Sequence, residues 1–321
     1  MKVSVVIPTR NGGPLFTRVL SAIFVQDCPW PFEVICVDSG STDGTPDVAA
    51  RAGARVISID PCSFNHGLTR NLGIEQAEGD FAVLTVQDAL PRDEHWLAPL
   101  VAALAADDRA AGSYSMQIPR PDCDPIIRDR LEHWSAGRPE RRVQEVPLDR
   151  DFDDLEPMEK LHLISFDNVS SCIRRSVWER YPFARRNFGE DVAWSREVIP
   201  RGYRIVYEPA SAVIHSHNNS LWYEFRRIYA DHQNLNQLVG LRTVPRFRDI
   251  FTNAAGAFRH YRTLIGQCGA PMPRRWYRTA RALPHAYLEN LAQFLGARLH
   301  GLVNRKVGIA ISLDNWFKQG V

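Results

Sequence analysis

The chain has 321 residues, 45% of them hydrophobic and 24% charged, enough to bury a substantial core in one large or two fused domains. The apolar run "VSVVI" begins directly after Met1-Lys2, too early for a signal-peptide core, and no run of about 18 apolar residues follows, so secretion and membrane spanning are not expected. A net charge of +2 conceals an asymmetry: residues 1–240 hold 26 Lys/Arg against 34 Asp/Glu, and residues 241–321 hold 13 against 3. A basic tail suits an anionic partner or surface. Six cysteines without Cys-x-x-Cys spacing leave a zinc ribbon or thioredoxin-type centre unsupported and suit a reducing cytoplasm.

Short β-rich runs alternate with helical stretches through the first half. "VSVVIP" precedes a helix over 14–26, "FEVICVD" one over 45–52, "ARVISID" one over 66–78, and "FAVLTV" one over 94–106. That rhythm predicts an α/β layer fold with a mainly parallel central sheet flanked by helices, and ligands at the carboxyl ends of its strands. A fifth strand over 112–118 leads into an irregular insertion or short helices over 119–160. "FDNVSSCIRRSVW" reads as a strand passing into a helix, "GEDVAWSREVIPRG" as a helix stopped by Pro200 and Gly202, and "YRIVYEPASAVIHSHN" as two short strands. Beyond 221 the pattern is helical to 300, rich in aromatics and arginines.

Residues that can carry chemistry follow these strands. The first strand ends in "PTRNGG", which lacks the Gly-x-Gly-x-x-Gly turn of a dinucleotide-binding oxidoreductase, and no Walker loop occurs. "VDSGSTDGT" sets Asp38 at a strand end facing the ligand crevice, whereas Asp43 and Thr45 read first as turn and cap residues. "FNHGLTRNLG" carries His66, Arg70 and Asn71 into a helix start suited to phosphate; Arg70 either grips an anion or pairs on the surface with Glu75 or Glu78. In "LTVQDALP", Asp88 is a helix cap or a ligand. Glu190 and Asp191 of "NFGEDVAWS" start a helix, where acids are favoured by its dipole. His215 and His217 of "VIHSHN", two apart, share one strand face as a metal-ligand pair or as packed rings.

Taken in order, "VVIPTRN", "VDSGSTDGT", "TRNLGIEQAEGDFAVLTVQDA", "GED" and "HSH" resemble the inverting nucleotide-sugar glycosyltransferases of glycosyltransferase family 2, which have the GT-A fold, over residues 1–235. Within that family the chain is most similar to bacterial rhamnosyltransferases using dTDP-L-rhamnose, through "FNHG-x-TRN", "QDALP" and "HSH". The resemblance implies a nucleotide-sugar-binding half over 1–112, an acceptor-binding and catalytic half over 113–235, and a basic helical region over 236–321. It implies that Pro8, Thr9, Arg10 and Asp38 line the nucleoside pocket and that Arg70 faces the diphosphate. Asp88 and His217 would hold Mg²⁺ or Mn²⁺, Asp191 would be the catalytic base beside Glu190, and His215 and His66 would support them.

Gln87 departs from the family, which commonly has a carboxylate there; a neutral amide donates as well as accepts and removes one charge beside the ion. Its neutrality is compatible with a deoxyribose donor, since a carboxylate aimed at a missing hydroxyl would lose its partner. The implied partners are a nucleotide-sugar donor and a glycan or lipid-linked acceptor in bacterial surface polysaccharide synthesis, with no nucleic acid. The basic region either lies on anionic lipid at the inner face of the membrane or forms a packing or dimer domain. Competing readings are another donor such as a UDP-sugar on the same fold, and a non-catalytic sugar-nucleotide scaffold.

Overall fold

The computed structural model describes residues 1–186 and 188–318. Its contacts divide the chain into two units, Met1–Arg120 with Leu131–His215, and Pro121–Arg130 with Ser216–Val321.

The first unit is organised around central strands too apolar to face water on either side. The strands in chain order are β1 Val3–Thr9, β2 Phe32–Asp38, β3 Arg55–Ser58, β4 Phe81–Thr85, β5 Leu90–Pro91, β6 Ala110–Ile118, β7 Arg142–Gln144, β8 Ser170–Arg174 and β9 Arg204–Ile214. In β1 and β4 nearly every residue is buried, the pattern of sheet strands covered on both faces. They assemble in the order β3-β2-β1-β4-β8-β6-β9-β5, with β7 added on β9. β1 to β4 form the parallel half, and β6 pairs β9 in parallel. β8 is inserted antiparallel between β4 and β6. Its reversal brings the start of β8 to the same sheet edge as the carboxyl ends of β1, β2, β4, β6 and β9.

The helix Gly13–Phe24 lays Phe16, Val19, Leu20 and Ile23 on the sheet, and Leu97–Ala105 adds Leu97, Leu100, Val101 and Leu104 to the same cluster. The spacing of three and four residues in both is that of one helix face. The helix His66–Glu75 approaches β1 so closely that a Cβ on Gly73 would lie 2.3 Å from Val6 Cγ1, which excludes any larger residue in "RNLGIE". Helix and strand positions in this half follow the sequence reading within a few residues.

β9 is one strand where the sequence suggested two. Its partner β6 shifts register between Ser115, opposite Glu208, and Met116, opposite Ala212, so residues 209–211 bulge out without ending the strand. Pro209 sits inside that irregularity, where its missing N–H breaks no ladder bond.

The second unit is helical, with long elements at Leu221–Val239, Phe247–Gln267 and Met272–Asn304 and a last helix at Gly308–Lys318. Phe225, Tyr229, Ala292, Leu299 and Phe317 form one core, and Ala254, Tyr261, Ile265, Ala282 and Ala286 another. Tyr229 and Gln233 both donate to the buried Asp314 carboxylate, tying the last helix to the first. Among the described residues, no helix is long and apolar enough to cross a membrane.

Candidate active site

The loops after β1 and β2 are laced together. Asn11 N donates to Ser41 Oγ, Gly12 N to Thr45 Oγ1 and Gly13 N to Asp43 Oδ2, while Thr42 N returns a bond to Asn11 Oδ1, all at 2.8–3.0 Å. Asn11 reaches this geometry at φ 48, a left-handed conformation that Asn tolerates better than most residues. Asp43 also accepts from Thr45 N and Oγ1, the turn and cap role expected for that pair.

Asp38 is buried at the end of β2, and both its oxygens are engaged. Oδ1 accepts from Thr9 Oγ1 at 3.0 Å and Ser41 Oγ at 2.5 Å; Oδ2 accepts from Gly40 N at 3.1 Å and Ser41 N at 2.9 Å. Four bonds use the acceptor capacity of a carboxylate. Asp38 therefore fixes the shape of the loop that follows the Pro8 and Thr9 end of the β1–β2 register.

Gln87 has a defined partner. Its Oε1 accepts from Arg10 N at 2.8 Å and its Nε2 donates to Arg10 O at 3.0 Å, a two-point clamp between the loops after β4 and β1. A carboxylate could make only the first bond and would set its oxygen against the Arg10 carbonyl. This gives the amide a structural reason independent of the donor sugar.

Asp88, the next residue, lies where a metal ligand was expected. Arg120 Nη2 donates to its carbonyl at 2.8 Å and to Oδ2 at 3.2 Å, and His215 Nε2 is 3.7 Å from Oδ1. Asp88, His215 and His217 present ligand atoms that all lie within 4.8 Å of one another. His215 Nδ1 faces Gln117 Oε1 at 3.1 Å; donating there, the ring keeps its lone pair on Nε2, the tautomer a metal ligand needs. His215, taken from sequence only as support, is thus placed as well as His217. A carboxylate and two imidazoles fit a divalent ion that accepts both oxygen and nitrogen.

Gln117 extends this cluster toward the "GED" helix. Its Nε2 donates to Asp167 Oδ2, whose other oxygen accepts from Val169 N at 2.9 Å. Beside it, Asn168 N donates to Asp191 Oδ2 at 3.1 Å, and Asn168 Nδ2 donates to Glu190 Oε1 at 3.2 Å. Val192 N caps Asp191 Oδ1 at 2.8 Å. Gly189, at φ 68, turns the chain into the helix Glu190–Val198 in a conformation that favours glycine.

The adjacent acids have opposite environments. Glu190 is buried and pairs with Arg70 Nη1 at 2.8 Å. Burial opposes its charge, yet the Arg70 guanidinium, the neighbouring His66 and the Asn168 bond hold the carboxyl below its usual range. At Asp191 burial first, then the charges of Glu190 and Asp167, push the carboxyl up to about 8. An acid poised near neutrality is suited to proton transfer.

Arg70 is only 3% exposed and was expected to face a diphosphate or a surface acid; here it pairs with Glu190 and with His66 O at 3.2 Å. Its Nε is buried with no hydrogen-bond partner among the described residues. Asn71 is structural, holding Phe183 and the Trp178 indole. His66 packs edge-on to Phe64, and burial and Arg70 lower its pKa. Gln117, Arg120, Asp167 and Asn168 were missed in the sequence, although the polar pair Asp167-Asn168 ahead of an apolar strand was a signal.

Residues 4–154 match the family model described as "Glycosyl transferase family 2". The O-antigen chain rhamnosyltransferase RfbN of Salmonella typhimurium is 30% identical over 307 residues, 93% of this chain and 89% of that protein. The O-antigen chain rhamnosyltransferase WbaN of Salmonella anatum is 29% identical over 231 residues, 70% of each chain. Among solved structures, the mannosyltransferase PcManGT from Pyrobaculum calidifontis, in complex with GDP-Man and Mn²⁺, superposes with a TM-score of 0.53 at 20% identity, covering 98% of this chain and 83% of its own. With its mixed sheet and the loops gathered at one edge, this chain has the GT-A fold and is a glycosyltransferase of family 2.

Proposed function

We propose that the enzyme transfers L-rhamnose from dTDP-β-L-rhamnose, with inversion, to a hydroxyl of a glycan or lipid-linked acceptor in surface polysaccharide synthesis. Two relatives spanning most of the chain and both named O-antigen chain rhamnosyltransferases support the sugar and the pathway. The Asp191 carboxyl, raised to about 8 and clamped by two backbone N–H groups, carries the chemical step.

In this reading Asp191 takes the proton of the acceptor hydroxyl, whose oxygen forms a bond to the anomeric carbon. The bond from that carbon to the diphosphate breaks, and its electron pair leaves with the nucleoside diphosphate. Attack opposite the leaving group inverts the centre and gives an α-L-rhamnoside. Asn168 fixes the base, and Glu190, balanced by Arg70, keeps a negative charge beside it. Arg70 supplies positive charge near the leaving group, its buried Nε having no hydrogen-bond partner among the described residues. Pro8, Thr9 and Arg10 hold the nucleoside, Asp38 holds the loop beside them in shape, and Gln87 sets the Arg10 backbone. Asp88, His215 and His217 would hold a divalent ion, which when bound neutralises charge on the diphosphate. Imidazole donors favour Mn²⁺ over Mg²⁺ in such a set.

Calorimetry with dTDP-L-rhamnose, UDP-glucose, UDP-galactose and GDP-mannose in Mn²⁺ tests the donor. Tightest binding of dTDP-L-rhamnose is expected, and a clear preference for a UDP-sugar overturns the rhamnosyl assignment. A β-linked product by NMR would overturn inversion.

A further inference from the structure

The helix Met272–Asn304 buries one side against its neighbours through Ala282, His285 and Ala286, and leaves the opposite side of its first three turns bare. Met272, Trp276 and Leu283 are 60%, 70% and 53% exposed, and with Ala280 they recur at helical spacing on one side. Tyr277, 62% exposed, widens that side. Further along the helix, Tyr287 and Phe294 are met by the rings of Phe251 and Phe247. Among the described residues, the first turns have no such cover.

Charge says what kind of cover fits. Residues 250–288 contain six arginines and no Asp or Glu. Arg278 turns inward to Asp124 at 3.7 Å, Arg281 lies over the Tyr277 ring at 5.5 Å, and Arg274 is exposed beside the apolar side. A second copy docked two-fold through this side would set arginines against arginines with no acid on the segment to answer them. An anionic bilayer answers both features at once. Trp and Tyr sit at the boundary of headgroups and chains, and arginines flanking an apolar side meet lipid phosphates.

We propose that residues 272–284 form a peripheral membrane-binding face that lies on bilayers containing anionic lipid. This inference is independent of the donor sugar and of the catalytic step, because binding is read without turnover.

The test uses the full chain with phosphatidylcholine vesicles, with and without about a third phosphatidylglycerol. Sedimentation should show binding to the anionic vesicles only, released by roughly 0.5 M salt. Trp276→Ala/Tyr277→Ala and Arg274→Glu should each weaken it by about tenfold or more, with melting temperature unchanged because these side chains are exposed. Absence of vesicle binding, equal binding to pure phosphatidylcholine, or binding undiminished in both variants overturns the proposal. A solution dimer that Trp276→Ala/Tyr277→Ala dissociates would instead assign the face to a second copy.

Discussion

Replacing Asp191 by Asn separates the chemistry of this residue from its cost to the fold. In the folded chain its carboxyl is pushed up to about 8, while in the unfolded chain it titrates at its ordinary 3.8. Between those values the folded state holds a proton that the unfolded state has released. Stability therefore falls as pH rises from 3.8 toward 8 and levels off above it. Each pH unit in that window is worth up to about 1.4 kcal/mol. The carboxyl is partly reachable by water and coupled to Glu190, so about half of the full effect is expected, roughly 2 kcal/mol between pH 5 and pH 8. Asn has no such dependence. Denaturant unfolding of both proteins across that range should show the wild type losing roughly 2 kcal/mol relative to Asp191→Asn, and parallel stability profiles would refute the burial argument. Over the same range wild-type kcat/KM should climb to a plateau above about 8, since a base must be ionised to accept a proton. Asp191→Asn should retain donor binding and turn over about 10²-fold slower or worse. Near-wild-type turnover would move the base elsewhere.

Asp88→Ala, His215→Ala and His217→Ala should each weaken Mn²⁺ binding measured by electron paramagnetic resonance without substrate, and unchanged affinity in all three would dismiss the shared site. Breaking the buried pair on one side, as Arg70→Met or Glu190→Gln, should destabilise by about 3 kcal/mol in denaturant unfolding, with the double variant recovering part of it; strict additivity would show that the two charges are not coupled. Gln87→Glu should cost about 1–2 kcal/mol through the lost bond to the Arg10 carbonyl. Hydrogen exchange at the Arg10 loop reads the same change, and unaltered protection there would mean that the clamp is not held in solution.

The parallel half of the sheet was legible because its strands are buried on both faces and read as continuous apolar runs punctuated by turns. Asp43 and Thr45 could be weighed correctly because capping is a local property of a few consecutive residues. β9 was harder: Pro209 reads locally as a break, and only its partner shows that the irregularity is absorbed by a register shift. Two of the site residues missed, Asp167 and Asn168, share one cause. Asp167 and Asn168 precede their strand, and a residue before a strand reaches the ligand edge only when that strand runs antiparallel. Sequence periodicity carries no strand direction. The pairing of Arg70 with Glu190 spans 120 positions and has no local signal either.

The lacing of the loops after β1 and β2 has a kinetic consequence. With Asp38 bonded four times and residues 11–13 tied to residues 41–45, this half of the proposed donor site is already shaped before anything arrives. A ligand entering it has little backbone freedom to freeze, so the entropy usually lost in ordering a loop is spared. Capture then resembles docking onto a rigid part, and differences in affinity among nucleotides should surface as different residence times more than as different rates of arrival.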